Sequence, residues 1–175
     1  MANNSARVAW DSYSIGLPAL GRFRIRQLVC PKKKVTADNQ LFKRFLESGD
    51  TVWICQAGTL LFRSTEKGIA PLLTYLQEFP PCPEGVIVFD RVVGNAAALL
   101  LKKAFGKKVY SLTGSELAAK TLKRLGIAYS FLTVVPYISN QAGDDMCPFE
   151  KASIGKSPEE FYEFAKEKLA LKEKQ

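Results

Sequence analysis

Apolar and polar positions change their period several times along the chain, and each change marks an element. Leu41, Phe42, Phe45 and Leu46 recur at helical spacing, with Asp38 or Asn39 placed to cap the helix and Gly49 to stop it. Thr51–Gln56 is a β-rich run, Ala57-Gly58 is a turn pair and Thr59–Arg63 continues the strand pattern, so the three predict a hairpin. A helix follows over Lys67–Glu78, with Pro71 tolerated only in its first turn. After the loop Pro80-Pro81-Cys82-Pro83, Gly85–Asp90 is almost wholly apolar, as a strand covered on both faces is. Gly94–Phe105 is apolar nearly all round before Lys102, which predicts a buried helix closed by Gly106.

The second half continues in the same alternation. Val109–Leu112 reads as a strand; Ser115 caps a helix with Leu117, Ala118, Thr121, Leu122 and Leu125 on one face, and Gly126 ends it. Ile127–Val135 is a further strand, followed by a loop of about ten residues over Tyr137–Met146. A short helix starts at Pro148, and Ser157-Pro158-Glu159-Glu160 is a capping box with proline at the first helical position. Helix, hairpin and then repeated helix–strand units argue for an α/β fold: a three-layer α/β/α sandwich on a mixed five-stranded sheet, antiparallel at the opening hairpin.

Charge divides the chain. Of the net +8, residues 1–38 supply +5, from Arg7, Arg22, Arg24, Arg26 and Lys32 to Lys34 against Asp11 and Asp38, and residues 39–175 are only mildly basic. The expected organisation is a basic extension over 1–38 and an α/β domain over 39–175. A nucleic-acid role would use those cations as a phosphate contact patch. The competing reading is a solvated extension or an edge strand blunted by its charges, and it is favoured because Trp10, Tyr13 and Phe23 do not interleave with the lysines. No window approaches a bilayer span, so no membrane role is expected. The first residues lack an apolar leader segment and Cys30, Cys55, Cys82 and Cys147 form no C-x-x-C pair, which points to reduced thiols and a cytoplasmic protein.

The absence of histidine restricts the chemistry further. It excludes a Ser-His-Asp triad, a Cys-His pair, imidazole acid–base work and the histidine-containing zinc sites, so no metal or other cofactor is implied. Two places remain where chemistry could sit. Asp90-Arg91-Val92-Val93-Gly94-Asn95 ends a buried strand and opens a helix, the position where open α/β sheets bind ligands. There Asp90 and Asn95 would be presented to a small polar ligand; alternatively Asp90 caps the helix or pairs with Arg91, and Gly94 only packs tightly. In Met146-Cys147-Pro148-Phe149-Glu150, Pro148 makes Cys147 the helix N-cap and Glu150 its capping partner. Cys147 is then either a nucleophile, with Glu150 or Asp90 carrying the proton, or a structural thiol. Tyr137 and Asn140 lie on the long loop between the two places.

Four segments in order carry a resemblance: Lys67-Gly68-Ile69-Ala70-Pro71-Leu72-Leu73, Asp90 to Ala98, Val135-Pro136-Tyr137-Ile138, and Met146 to Lys151. Over about Leu41 to Gly155 the chain resembles a family of uncharacterised bacterial and archaeal proteins, a domain of unknown function with a cytidine-deaminase-like fold. The resemblance implies that scaffold. Zinc deaminases of this fold open one core helix with H-A-E and the next with P-C-x-x-C. By element order those positions fall near Lys67–Ile69 and Val93–Ala97, which offer Gly68, Ile69, Gly94, Asn95 and Ala96. The scaffold is thus implied and the zinc-dependent reaction is not. The resulting expectation is a zinc-independent protein that binds a small polar, nucleobase- or nucleotide-like ligand at helix N-termini, with Gly68, Asp90, Arg91, Gly94, Asn95, Tyr137 and Asn140 about it. Self-association as a homo-oligomer is compatible with the sequence.

Overall fold

A computed structural model describes residues 37–172. The basic segment up to residue 36, with its arginines, Lys32 to Lys34 and Cys30, lies outside the described residues.

Helix α1 (Ala37–Glu47) already begins at Ala37, so Asp38 and Asn39 are first-turn residues rather than its caps. Asp38 instead accepts a hydrogen bond from the Tyr110 hydroxyl at 3.0 Å and faces Lys108 at 3.7 Å. Strands β1 (Val52–Gln56) and β2 (Thr59–Ser64) form the expected antiparallel hairpin, with the positive φ values at Ala57 and Gly58 that a tight turn needs. Helix α2 (Ala70–Glu78) starts three residues later than its pattern, with Pro71 in the first turn.

Strand β3 (Val86–Val93) runs three residues past Asp90 into α3 (Asn95–Lys103). Gly106 does not close that helix. Phe105 takes the left-handed conformation, at φ 56°, and Gly106 begins β4 (Gly106–Ser115). The Phe105 carbonyl is drawn into the sheet, where it accepts the Val86 N–H at 3.1 Å. Strand β4 is far longer than Val109–Leu112 because β3 and β5 pair with it on both sides and supply its backbone partners from Gly106 onward. Helix α4 (Glu116–Leu125) is capped as its sequence requires: the Ser115 hydroxyl accepts the Ala118 N–H at 2.9 Å, and Gly126 ends the helix at φ 72°. Strand β5 (Ala128–Val135), the short helix α5 (Pro148–Ala152) and α6 (Pro158–Lys172) complete the order. Both bonds of the Ser157–Glu160 capping box form, at 2.8 and 3.2 Å.

The sheet order is β2-β1-β3-β4-β5, antiparallel from β2 to β3 and parallel from β3 to β5. Alternation along β1 separates two cores. Val52 and Ile54 join Val86, Val88 and the buried faces of α2, α3, α4 and α6, while Trp53 and Cys55 join Phe89, Tyr110 and the α1 residues Phe42 and Phe45. The second core is largely aromatic, with Phe89 stacked on Tyr110 at 5.3 Å and Phe45 edge-on to Trp53 at 5.7 Å. Helix α3, in the larger core, has seven consecutive buried residues from Asn95 to Leu101. No helix among the described residues is long and apolar enough to cross a membrane.

Candidate functional site

The carboxyl ends of the parallel strands β3 and β4 meet the N-termini of α3 and α4, and the segment from Pro136 to Ser153 folds back over them. Asp90 stands opposite Val52 in the β1–β3 register, so its side chain shares Val52's face and points into the larger core. It is 6% exposed. Its Oδ1 accepts the Val92 N–H at 3.0 Å. Burial pushes its carboxyl from 3.8 up to about 7, against the opposing pull of the Val92 and Arg91 amides.

Neither structural role open to Asp90 in the sequence is realised. Arg91 points to the opposite core, donating from Nε to Asp50 O at 2.7 Å and from Nη2 to Ser48 O at 2.5 Å, with its guanidinium 5.6 Å from the Phe45 ring centre. Helix α3 is capped by Gly94, without any side-chain capping bond. Arg91 is therefore not brought together with Asp90, and its donors serve the turn before β1.

Glu150 closes the N-terminus of α3. It is 2% exposed, and its Oε2 accepts the Asn95 N–H at 2.5 Å across 55 residues of chain. A carboxylate there is favoured by the helix dipole and by the free N–H of the first turn. The Cys147–Glu150 capping box is consequently not made: the Glu150 side chain is turned toward α3, and the Cys147 N–H donates to Ile138 O at 2.8 Å instead. Gly94 is what permits the approach. A Cβ at residue 94 would collide with Glu150 Oε2 and stand 3.1 Å from Ile138 Cγ1.

Asn95 is held at every polar atom. Its Nδ2 donates to Ser153 Oγ at 2.8 Å, its Oδ1 accepts from the Thr121 hydroxyl at 2.5 Å, and Ser153 Oγ donates onward to Glu150 O at 2.6 Å. This buried network joins α3, α4 and α5. One member is incomplete: Glu150 Oε1 is buried and has no hydrogen-bond partner. Thr121 and Ser153 were not legible as site residues. Thr121 sits at a helical position that reads as core, and Ser153 has no motif around it.

The loop after β5 has structure of its own. Ser139 bridges Met146, Asn140 N donates to Asp145 O at 2.8 Å, and Cys147 N closes back on Ile138. Asn140 holds the turn: its Oδ1 accepts the Gly143 N–H at 2.7 Å and its Nδ2 donates to Asp144 at 2.8 Å. Tyr137 is 44% exposed, and Cys147 is half-buried at the α5 N-cap. Gly68 lies in the turn before α2 at φ 72°, at the same end of the sheet, where Thr51 Oγ1 fastens the preceding Glu66 carbonyl at 2.5 Å. Gly94, Asn95 and Glu150 thus form one contact cluster. Asp90 shares their side of the sheet, and Asn140 and Arg91 are engaged elsewhere.

Two surface cavities lie away from this cluster. An open groove of about 420 Å³ runs between β2 and α2, lined by Asp50, Phe62, Arg63, Glu66 and Thr74 among others. A hollow of about 40 Å³ lies beside Cys82 and Phe105. No three His, Cys, Asp or Glu side chains among the described residues converge as a metal site.

Comparison with known proteins agrees with this fold. No curated protein matches the chain. Its structure is similar to the crystal structure of a DUF1893 family protein from Thermotoga maritima, with a TM-score of 0.69 and 26% sequence identity over 75% of this chain and 89% of that one. The family model for the domain of unknown function DUF1893 matches residues 41–169. With most of its length accounted for by that match, the chain belongs to the DUF1893 family.

Proposed function

We propose that this protein is a zinc-independent relative of the cytidine-deaminase scaffold that binds a small polar ligand through N–H donors, at the buried carboxylates beside the start of α3. The observation that carries this reading is Glu150 Oε1, a buried carboxylate oxygen with no donor facing it. Leaving such an atom unpaired costs about 1–3 kcal/mol or more for a charged group, a cost that an incoming N–H removes. Asp90, buried on the same side of the sheet and pushed up to about 7, is a second carboxyl kept without a cationic partner among the described residues. Titratable groups held at such a cost are characteristic of binding and catalytic sites.

The chemistry selects the ligand's edge. Helix N-termini commonly take phosphate, but here Glu150 already accepts the Asn95 N–H, so an anionic group is excluded from that place. An amino or amidine edge, such as a nucleobase presents, is complementary to the free oxygen. Zinc does not fit the same residues. Gly68, Ile69, Gly94 and Ala96 carry no ligating side chain, Asn95 is committed to Thr121 and Ser153, and any side chain at 94 would meet Glu150. The hairpin over residues 137–147, whose Ile138 lies against Gly94, is the cover that a ligand displaces on entry.

Calorimetric titration of cytidine, adenosine and guanosine into the full chain tests this reading, with the Glu150→Gln variant as the comparison. The variant keeps an acceptor for Asn95 but turns a donor toward the ligand. We expect saturable binding of at least one nucleoside and a loss of about tenfold or more in the variant, since 1.4 kcal/mol is a factor of ten. Equal affinity in the two proteins, or no binding by any of the three, refutes it.

A further inference from the structure

The groove between β2 and α2 holds charged groups that the fold fixes in place without completing. Along β2, Arg63 stands opposite Trp53 and Phe62 opposite Ile54, on the two faces of the sheet. The groove takes in both side chains because it follows the outer side of β2, the end strand. Arg63 is anchored at the base of its guanidinium, where Nε faces Asp50 Oδ2 at 3.5 Å. Asp50 is 3% exposed, and the same oxygen accepts the Trp53 indole N–H at 2.5 Å, so the anchor is itself held. The Nη pair makes no hydrogen bond among the described residues, and the Arg63 side chain is 66% exposed.

Glu66 is fixed at its backbone instead. Its N–H donates to Ser64 Oγ at 3.1 Å, and its carbonyl accepts the Thr51 hydroxyl at 2.5 Å. Its carboxylate has neither a hydrogen bond nor an ion pair among the described residues, and the Thr74 hydroxyl on the α2 wall has no hydrogen bond among them. Phe62 supplies the apolar part of the lining, its ring packed on Tyr75 at 5.9 Å and edge-on to Phe79 at 5.6 Å.

We propose that this groove binds a free α-amino acid with an apolar side chain, the carboxylate on the Nη pair of Arg63, the ammonium on Glu66 and the side chain over Phe62. A guanidinium anchored at Nε presents its remaining donors as a fork that matches a carboxylate. Charge excludes a simple anion: beside Arg63 it would meet the carboxylates of both Asp50 and Glu66. A zwitterion satisfies Arg63 and Glu66 together, and Thr74 can serve either end of it. The volume of about 420 Å³ lies within the range of small-molecule sites.

Calorimetric titration of L-leucine and L-phenylalanine into the full chain tests the inference, with N-acetyl-L-leucine and L-leucinamide as the ligands that lack one charge each. We expect at least one amino acid to bind with a Kd of about 1 mM or tighter. Each blocked derivative should bind at least about tenfold more weakly than L-leucine, and Arg63→Gln should weaken amino-acid binding by a similar factor. Glu66→Gln is the safer variant, because its side chain supports nothing in the fold, and it should also cost about tenfold or more. Absence of saturable binding by both amino acids overturns the proposal. So does a blocked derivative that binds as tightly as L-leucine, or a Glu66→Gln protein with undiminished affinity.

Discussion

Asp90→Asn should stabilise this protein, and by an amount that depends on pH in a defined direction. In the folded chain the Asp90 carboxyl sits at about 7, against 3.8 unperturbed, because burial penalises its charged form. That difference is on the order of a thousandfold in proton affinity, or about 4 kcal/mol at most. The sign follows from linkage. Between about pH 4 and pH 7 the folded state holds a proton that the unfolded state has released, so stability falls as pH rises through this window and the full penalty applies above it. Asparagine has nearly the same shape, can keep the acceptor for the Val92 N–H, and has no charge to desolvate. Relative to wild type, the variant should therefore gain about 2–3 kcal/mol of stability between pH 5 and pH 8. Urea unfolding at a series of pH values reads this directly as a shift in midpoint at constant slope. A stability difference that is flat with pH, or that shrinks toward pH 8, would show that Asp90 is ionised without penalty and would remove it from the proposed site. Against typical domain stabilities of about 5–15 kcal/mol, so large a penalty is a sizeable fraction. A carboxyl held at such a cost at the end of a buried strand is a reason to read Asp90 as functional.

Two further predictions concern packing and thiol chemistry. Gly94→Ala should destabilise the fold by about 2–4 kcal/mol, because the added methyl displaces Glu150 from the Asn95 N–H and crowds Ile138. Since φ −95° and ψ 179° suit any residue, the cost is steric, and a double-mutant cycle with Glu150→Ala should show coupling of about 1 kcal/mol or more. Additive costs would contradict the contact. For the thiols, burial and the nearby Asp38 charge push Cys55 up to about 11. Mass-spectrometric mapping after brief iodoacetamide treatment at pH 8 should therefore find Cys82 and Cys147 alkylated and Cys55 protected until denaturant is added; early labelling of Cys55 would place it outside the aromatic core.

What the sequence discloses here is local. Ser115, Gly126 and the Ser157–Glu160 box act within one turn of chain, and each occupies its expected place. The β1–β2 turn and the doubly covered β3 follow equally from short patterns. The misreadings arise where a distant partner competes with a local one. Phe105 adopts a left-handed conformation because its carbonyl answers Val86, and Gly106 is required for close approach, since a Cβ there would stand 2.9 Å from Leu101 O. Glu150 is spaced to bond within its own helix, yet it reaches Asn95 because α5 is laid across the start of α3. Of the candidate site, Gly94, Asn95 and Glu150 were recognisable as residues that open helices. Their mutual contact, and the part played by Thr121 and Ser153, arise only from tertiary packing. Asn140 and Arg91 illustrate the converse: polar residues near a promising motif, each occupied in holding a turn.

The most direct measurement is a crystal structure of the protein with whichever nucleoside binds it. We expect the ligand beneath the 137–147 hairpin, with a base N–H within about 3 Å of Glu150 Oε1. A ligand seated in the groove between β2 and α2, on Phe62, Arg63 and Glu66, with Glu150 Oε1 still unpaired, would contradict the proposed site.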